Sequence, residues 1–287
     1  MAGIGFELRR MLRKDTLLGL VQAYAYASVI GSGPWVLSIV GILLVGIFSA
    51  SVVIPGVLVT QFQTSVTYLV ACSLIYTGLV QLAFTRFISD RLFEKRKDMV
   101  LPNLHGLLVL VLLGACVLGT AALFIALPGQ GLVYRLLMLA GFALMCGVWV
   151  LTVLLSGMKR YKAIVLLFGV SYGLIVVSAL LMRPWGLEGL LGGFVLGNYV
   201  LLVGMWLLVV REFNPSGPII AFDFARRAML YPTLMAIGLL YNLGVWIDKF
   251  MFWYFPPTSD AIIGSLRASI IYDLPVFLSY LSIIPGM

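Results

Sequence analysis

Long apolar stretches separated by short polar joints run the whole length of the chain. Between Asp15 and Arg86 there is no charged residue at all, and apolar runs recur from there to the last residue. A helix needs roughly 20 apolar residues to cross a hydrocarbon core about 30 Å thick. Backbone groups cannot stay unpaired in lipid, so each run is expected to be a helix and not an open strand. The predicted crossings are 17–49, 60–89, 103–127, 132–156, 163–182, 187–210, 228–255 and a segment from Tyr272 onwards. Turn signals punctuate them at Pro55-Gly56, Pro128-Gly129-Gln130-Gly131 and Arg183-Pro184-Trp185-Gly186. The pattern predicts an all-α polytopic membrane protein with about eight transmembrane helices.

The first run would extend about 50 Å as a straight helix, more than a bilayer core, so it must tilt, bend or project. Gly31-Ser32-Gly33-Pro34 sits at its middle. Proline removes a helical hydrogen bond and glycine softens the backbone, so a kink is expected there. Gly31, Gly33 and Pro34 are therefore candidate hinge residues, or a kink that serves packing alone. Ahead of this run, residues 1–15 place Ile4, Leu8, Met11 and Leu12 near one helical face and Arg9, Arg10, Arg13 and Lys14 mostly on the other. That pattern predicts a cytoplasmic amphipathic helix lying in the membrane interface, which could also bind a partner.

Composition removes the soluble alternative. Hydrophobic residues make up 62% of the chain and charged residues 10%, with a mean hydropathy of +1.10. Ordinary soluble domains carry about 25% charged residues. The net charge of +8 would suggest nucleic acid in a soluble protein, but here the bases are clustered at the joints. Arg9, Arg10, Arg13 and Lys14 form one group; Arg86, Arg91, Lys95, Arg96 and Lys97 a second; Lys159, Arg160 and Lys162 a third; Arg211, Arg226 and Arg227 a fourth. Two crossings separate each neighbouring pair of groups, so all four fall on one side. By the positive-inside rule that side is the cytoplasm, the N-terminus lies inside, and no nucleic-acid partner is implied.

No joint is long enough to hold a soluble core of its own. The chain stops at Ile284-Pro285-Gly286-Met287, inside an apolar run, which suggests a truncated chain. The first apolar run is long and others follow it, so the N-terminus reads as retained and not as a cleaved leader. Cys72, Cys116 and Cys146 lie within apolar segments with no C-x-x-C pair and are expected to be buried small hydrophobes.

Little catalytic chemistry is legible. His105 is the only histidine and has no partner at a recognisable spacing; it reads as a helix-end residue. No phosphate loop and no paired metal ligands appear, so no cofactor, no metal and no enzymatic activity are expected. The informative residues are Asp248 and Lys249, which interrupt the seventh apolar run. A charge at the bilayer centre costs about 2.5 to 3.5 kcal/mol on insertion scales, so such residues face a cavity or a partner, or else lie at the outer headgroups. Asn242, Asn198 and Gln81 are polar at depths where a substrate path or helix-packing hydrogen bonds could use them. Tyr26 and Trp246 could stack on sugar rings, as could Tyr24, Trp35, Tyr172, Tyr199 and Tyr241, or serve interface belts. Gly192, Gly193 and Gly197 fit close helix contact.

Two longer stretches, Met1-Ala2-Gly3-Ile4-Gly5-Phe6-Glu7-Leu8 and Gly31-Ser32-Gly33-Pro34-Trp35-Val36-Leu37-Ser38, with Tyr24-Ala25-Tyr26-Ala27 between them, carry a family likeness. They resemble the inner-membrane transport components of Pel exopolysaccharide secretion, which belong with the MATE-like flippases of the multidrug/oligosaccharidyl-lipid/polysaccharide superfamily. Asp248-Lys249 is similar to the acid-plus-base step of the seventh helix in polysaccharide transporters. The resemblance continues through Tyr272-Asp273-Leu274-Pro275. It implies two six-helix lobes around a cavity that opens alternately to the two sides, here with 16–212 as the first lobe and 213–287 as the start of the second. It also implies a hexosamine-rich polysaccharide substrate, a cytoplasmic glycosyltransferase and membrane scaffold proteins as partners. Two other functions suit the residues: an ion-coupled multidrug antiporter, whose acid Asp248 would be weakened by the adjacent lysine, and a non-transporting scaffold that docks a synthase through basic loops such as 91–97.

Overall fold

The computed structural model describes Gly41, Leu44, Val45 and residues 56–158, 160–213, 218–226 and 230–286. The predicted N-terminal amphipathic helix, Tyr26 and the hinge residues Gly31, Gly33 and Pro34 lie outside the described residues. The protein is an all-α polytopic membrane protein. Six described helices are long and apolar enough to cross a membrane. They are α1 (Gly56–Phe93), α2 (Val100–Ala126), α3 (Leu132–Gly157), α4 (Tyr161–Leu181), α5 (Gly186–Glu212) and α6 (Pro232–Tyr254). A seventh, α7 (Ile270–Gly286), follows a two-stranded hairpin of β1 (Asp260–Ile263) and β2 (Leu266–Ala268).

Helix ends follow local chemistry. Pro232 begins α6 at a position where the missing N–H has no intrahelical partner, and Pro256 and Pro257 follow its end. Gly186 opens α5 with φ of 64°, a left-handed conformation that glycine adopts without a Cβ penalty. At 38 residues α1 would extend about 57 Å. It therefore overshoots the predicted run 60–89 at both ends.

The bundle is a row with α4 on α5, α5 on α3, α3 on α1 and α1 on α6, while α2 packs on α3. Phe62, Val66, Leu151, Leu155, Phe194, Leu201 and Met205 fill the middle of the row and are fully or almost fully enclosed. Glycines let α4 and α5 meet closely, as expected. A Cβ on Gly193 would lie 2.9 Å from the Ser178 carbonyl carbon, and Ser178 Oγ donates to Gly193 O at 3.1 Å.

The joints between α1 and α2, α3 and α4, and α5 and α6 lie at one end of the bundle, which agrees with the parity of the basic groups. Arg160 pairs with Glu212, linking the α3–α4 joint to the end of α5. Tyr231 O–H donates to Asp90 Oδ2 at 2.8 Å, tying the start of α6 to the end of α1. Residues 218–226 strap across the start of α2, where the Ala221 amide donates to Pro102 O at 3.0 Å. Asn103, wholly buried, holds this strap: its Oδ1 accepts from the Asp223 amide at 2.7 Å and its Nδ2 donates to Met99 O and Asp223 Oδ2.

Two expectations are corrected. Cys72 and Cys116 are exposed and only Cys146 is buried. Burial inside the protein is not required of an apolar residue in a membrane, because a lipid-facing surface accepts it equally well. The hairpin at 260–268 was not expected either: it is too short to register as alternating polarity.

Candidate functional site

The expected path residues fall in three places. On α6, Asn242, Trp246 and Lys249 follow one another at helical spacing, so they share a face with Gly238 and Trp253. That face packs along α1. A Cβ on Gly78 of α1 would sit 2.7 Å from both Asn242 Nδ2 and Gly238 O, so the two backbones meet where neither has a side chain. The Asn242 amide donates to Gly238 O at 2.9 Å.

Further along the face, Lys249 is 8% exposed, and its Nζ lies 4.9 Å from the centroid of the Trp246 ring. Ammonium over indole is an attractive cation–π arrangement, and it gains strength where water is scarce. Trp246 is itself buried, and its Nε1–H has no hydrogen-bond partner among the described residues. Asp248, the next residue round the helix, points elsewhere. It accepts from the Lys249 amide at 2.8 Å through Oδ1 and from the Tyr272 hydroxyl through Oδ2. Tyr272 in turn stacks on Phe252, with ring centroids 4.0 Å apart. The acid is thus held at the start of α7, while the base is enclosed on the α1 side. Both lie between one and two turns before α6 ends at Tyr254.

The other two expected residues are separate from this cluster. Gln81 donates to Thr77 Oγ1 at 2.9 Å and lines a cleft between α1, α2 and α3 with Phe84, Thr85, Ser89, Leu107 and Met158. Asn198 is 1% exposed and donates to Phe194 O within its own helix at 2.9 Å.

Sequence reasoning missed the cap beside the charged pair. Trp253 is enclosed; its Nε1–H is shared between the Asp273 oxygens at 3.0 and 2.9 Å, and its ring stacks on Tyr68 at 4.7 Å. Arg267 binds the same corner through Trp253 O at 3.2 Å, Ser259 Oγ at 3.0 Å and Ser259 O at 2.8 Å. Tyr68 O–H donates to Arg267 O at 3.0 Å. The available signal was an arginine and the Tyr272-Asp273 pair standing together in an otherwise apolar stretch.

Among the described residues no cluster of three or more His, Cys, Asp or Glu could hold a metal ion. His105 does not face a reacting group. Trp206 Nε1–H donates to its Nε2 at 3.0 Å, and its Nδ1 lies 2.9 Å from Ile219 O, so the ring staples the strap to α2 and α5.

The arrangement combines buried charge, an unpartnered donor and aromatic faces, and it brings no nucleophile to a base; it suits holding or passing a polar ligand. No curated protein and no solved structure matches the chain. The likeness read from its opening residues extends throughout, and the chain belongs to the PelG family of candidate exopolysaccharide exporters (EPS-E), which it matches over residues 1–287.

Proposed function

We propose that this protein passes a hexosamine-rich exopolysaccharide from the cytoplasm to the periplasm across the bacterial inner membrane, along a hydrated path beside the α1–α6 seam. Residues 16–212 form the first lobe of a MATE-like flippase fold and 213–287 begin the second, so the seam is where the lobes meet. A cytoplasmic glycosyltransferase delivers the chain, and membrane scaffold proteins of the Pel system hold the two together.

The observation that carries this reading is the unpartnered Trp246 Nε1–H beside Lys249. In hydrocarbon such a donor costs free energy comparable to a lost hydrogen bond, and a charge costs more. Sugar hydroxyls and water satisfy the indole donor, and the apolar face of a pyranose suits the ring beside it. Gln81, Asn242 and Asn198 spend their amide hydrogens on acceptors within their own helices.

Reconstitution of the full-length protein with its synthase tests the proposal. Asp248→Ala and Lys249→Ala are each expected to lower polymer export at least tenfold while the complex still assembles. Full export by both variants would overturn the role of the pair. Loss of assembly with wild-type protein moving no polymer would favour a scaffold instead.

A further inference from the structure

At the end opposite the basic joints, residues 256–273 close over the seam between α1 and α6. The strap is tied to both sides. On the α1 side, Tyr68 bonds the Arg267 backbone twice, donating to its carbonyl at 3.0 Å and accepting from its amide at 3.3 Å, while Gln61 Nε2 donates to Ile262 O at 3.3 Å. Ser265 adds a tie to α2, its Oγ donating to Ala126 O at 2.7 Å. On the α6 side, Arg267 and Asp273 clasp Trp253, as described above. Ser269 Oγ donates to Thr258 O at 2.6 Å and closes the corner.

Three features make this strap more than a turn. The extended packing of α6 among the other described long helices is along α1 alone. Part way along that seam the two helices touch backbone to backbone at Gly78 and Gly238, where neither glycine contributes a side chain. Beyond the glycines, towards the strap, the seam encloses Lys249 and Trp246, and the Trp246 Nε1–H has no hydrogen-bond partner among the described residues. A smooth contact in the middle, a hydrogen-bonded clasp at one end and polar groups shut in between describe a joint able to open.

We propose that the 256–273 strap is a latch: it holds α6 against α1 at the end opposite the basic joints, and on its release α6 swings about the Gly78–Gly238 contact and admits water to Trp246 and Lys249. The latch rests on the reading of the seam as a polymer path, so its test carries a readout separate from export.

The experiment uses the full-length protein in cells. Ala126→Cys with Ser265→Cys, in a background whose native cysteines are replaced, joins the strap to α2 on oxidation. Export is expected to fall at least tenfold in the oxidised protein and to return with reductant, which separates locking from misfolding. Gln61→Cys with Ile262→Cys, joined by a short bifunctional thiol reagent, repeats the lock at a second point. Separately, Cys72 is retained alone in a protein carrying Tyr68→Phe. It is exposed and lies one helical turn from Tyr68, which the strap binds. A thiol in lipid does not ionise and reacts slowly, so water entering the seam should speed its labelling by a membrane-impermeant maleimide several-fold. Unchanged labelling together with full export from both verified cross-links would overturn the latch. Faster labelling with export unaffected by the locks would keep the moving strap and overturn the seam as the polymer path.

Discussion

Asn103 illustrates how one buried amide can organise a joint. Its side chain is wholly enclosed and bonds Met99 O, the Asp223 amide and Asp223 Oδ2, so both its donor and its acceptor ends are used. Asn103→Ala would strand the Asp223 amide and remove the anchor of the strap, at a cost of about 1 to 3 kcal/mol for the unsatisfied group. Asn103→Asp should be worse, because a second carboxylate would face that of Asp223 with no proton donor between them. Thermal unfolding in detergent should rank wild type above Asn103→Ala and Asn103→Asp last; a more stable Asp variant would refute this reading of the bonds. His105 works on the same strap. The Ile219 carbonyl can only accept and the Trp206 indole can only donate, so the ring is assigned as neutral with its proton on Nδ1. Protonating Nε2 removes the acceptor that Trp206 needs. His105→Phe keeps the ring and loses both bonds, and it should raise protease access to the 218–226 strap with little change at the other end of the bundle.

At the scale of elements, the helix row depends on glycines that are not equivalent, and the structure separates those that touch from those that do not. On α5, Gly193 lies against the α4 backbone, while on α4 itself Gly173 has open space around it. Gly193→Leu should pry α4 from α5 and lower the melting temperature by many degrees; Gly173→Leu should leave it within a degree or two. Equal losses would mean that helix propensity, not contact, sets the effect, since glycine is generally the poorer helix former. The spans themselves were legible because lipid leaves a chain few options: an apolar run of sufficient length is a helix, and parity then fixes which joints share an end. The charged pair was legible for the same reason, as Asp248 and Lys249 stand out against their apolar surroundings. What the pair touches was not. Asp248 reaches Tyr272 across a hairpin, and Lys249 meets Trp246 by helical spacing on a face whose partner no periodicity names. Asn103 passed unnoticed because Asp223, which it binds through both ends of its amide, lies more than a hundred residues away. The 260–268 hairpin has two strands of four and three residues, too few for any pattern to rise above the apolar background.

For the whole molecule, the sidedness of the bundle decides the direction of export. The structure gathers Arg86 to Lys97, Arg160, Lys162, Arg211 and Arg226 at one end, with ties such as Arg160 to Glu212 and Tyr231 to Asp90 holding those joints together. At the other end stand Arg135, which binds the Pro128 carbonyl, Arg183 in the α4–α5 joint, and Arg267 inside the latch. A cation already bound by backbone carbonyls exerts less pull on anionic headgroups than the exposed bases of 95–97. By the positive-inside rule, the greater number of bases at the first end leads us to expect the 93–99 joint in the cytoplasm. Single cysteines at Arg96 and at Gly129, whose surroundings are open, test this in intact cells lacking the native thiols. A membrane-impermeant maleimide should label Gly129→Cys at once and Arg96→Cys only after the inner membrane is breached. The opposite pattern would turn the bundle over, put the latch on the cytoplasmic side and reverse the proposed direction of export, while leaving the helix row and the α1–α6 seam unchanged.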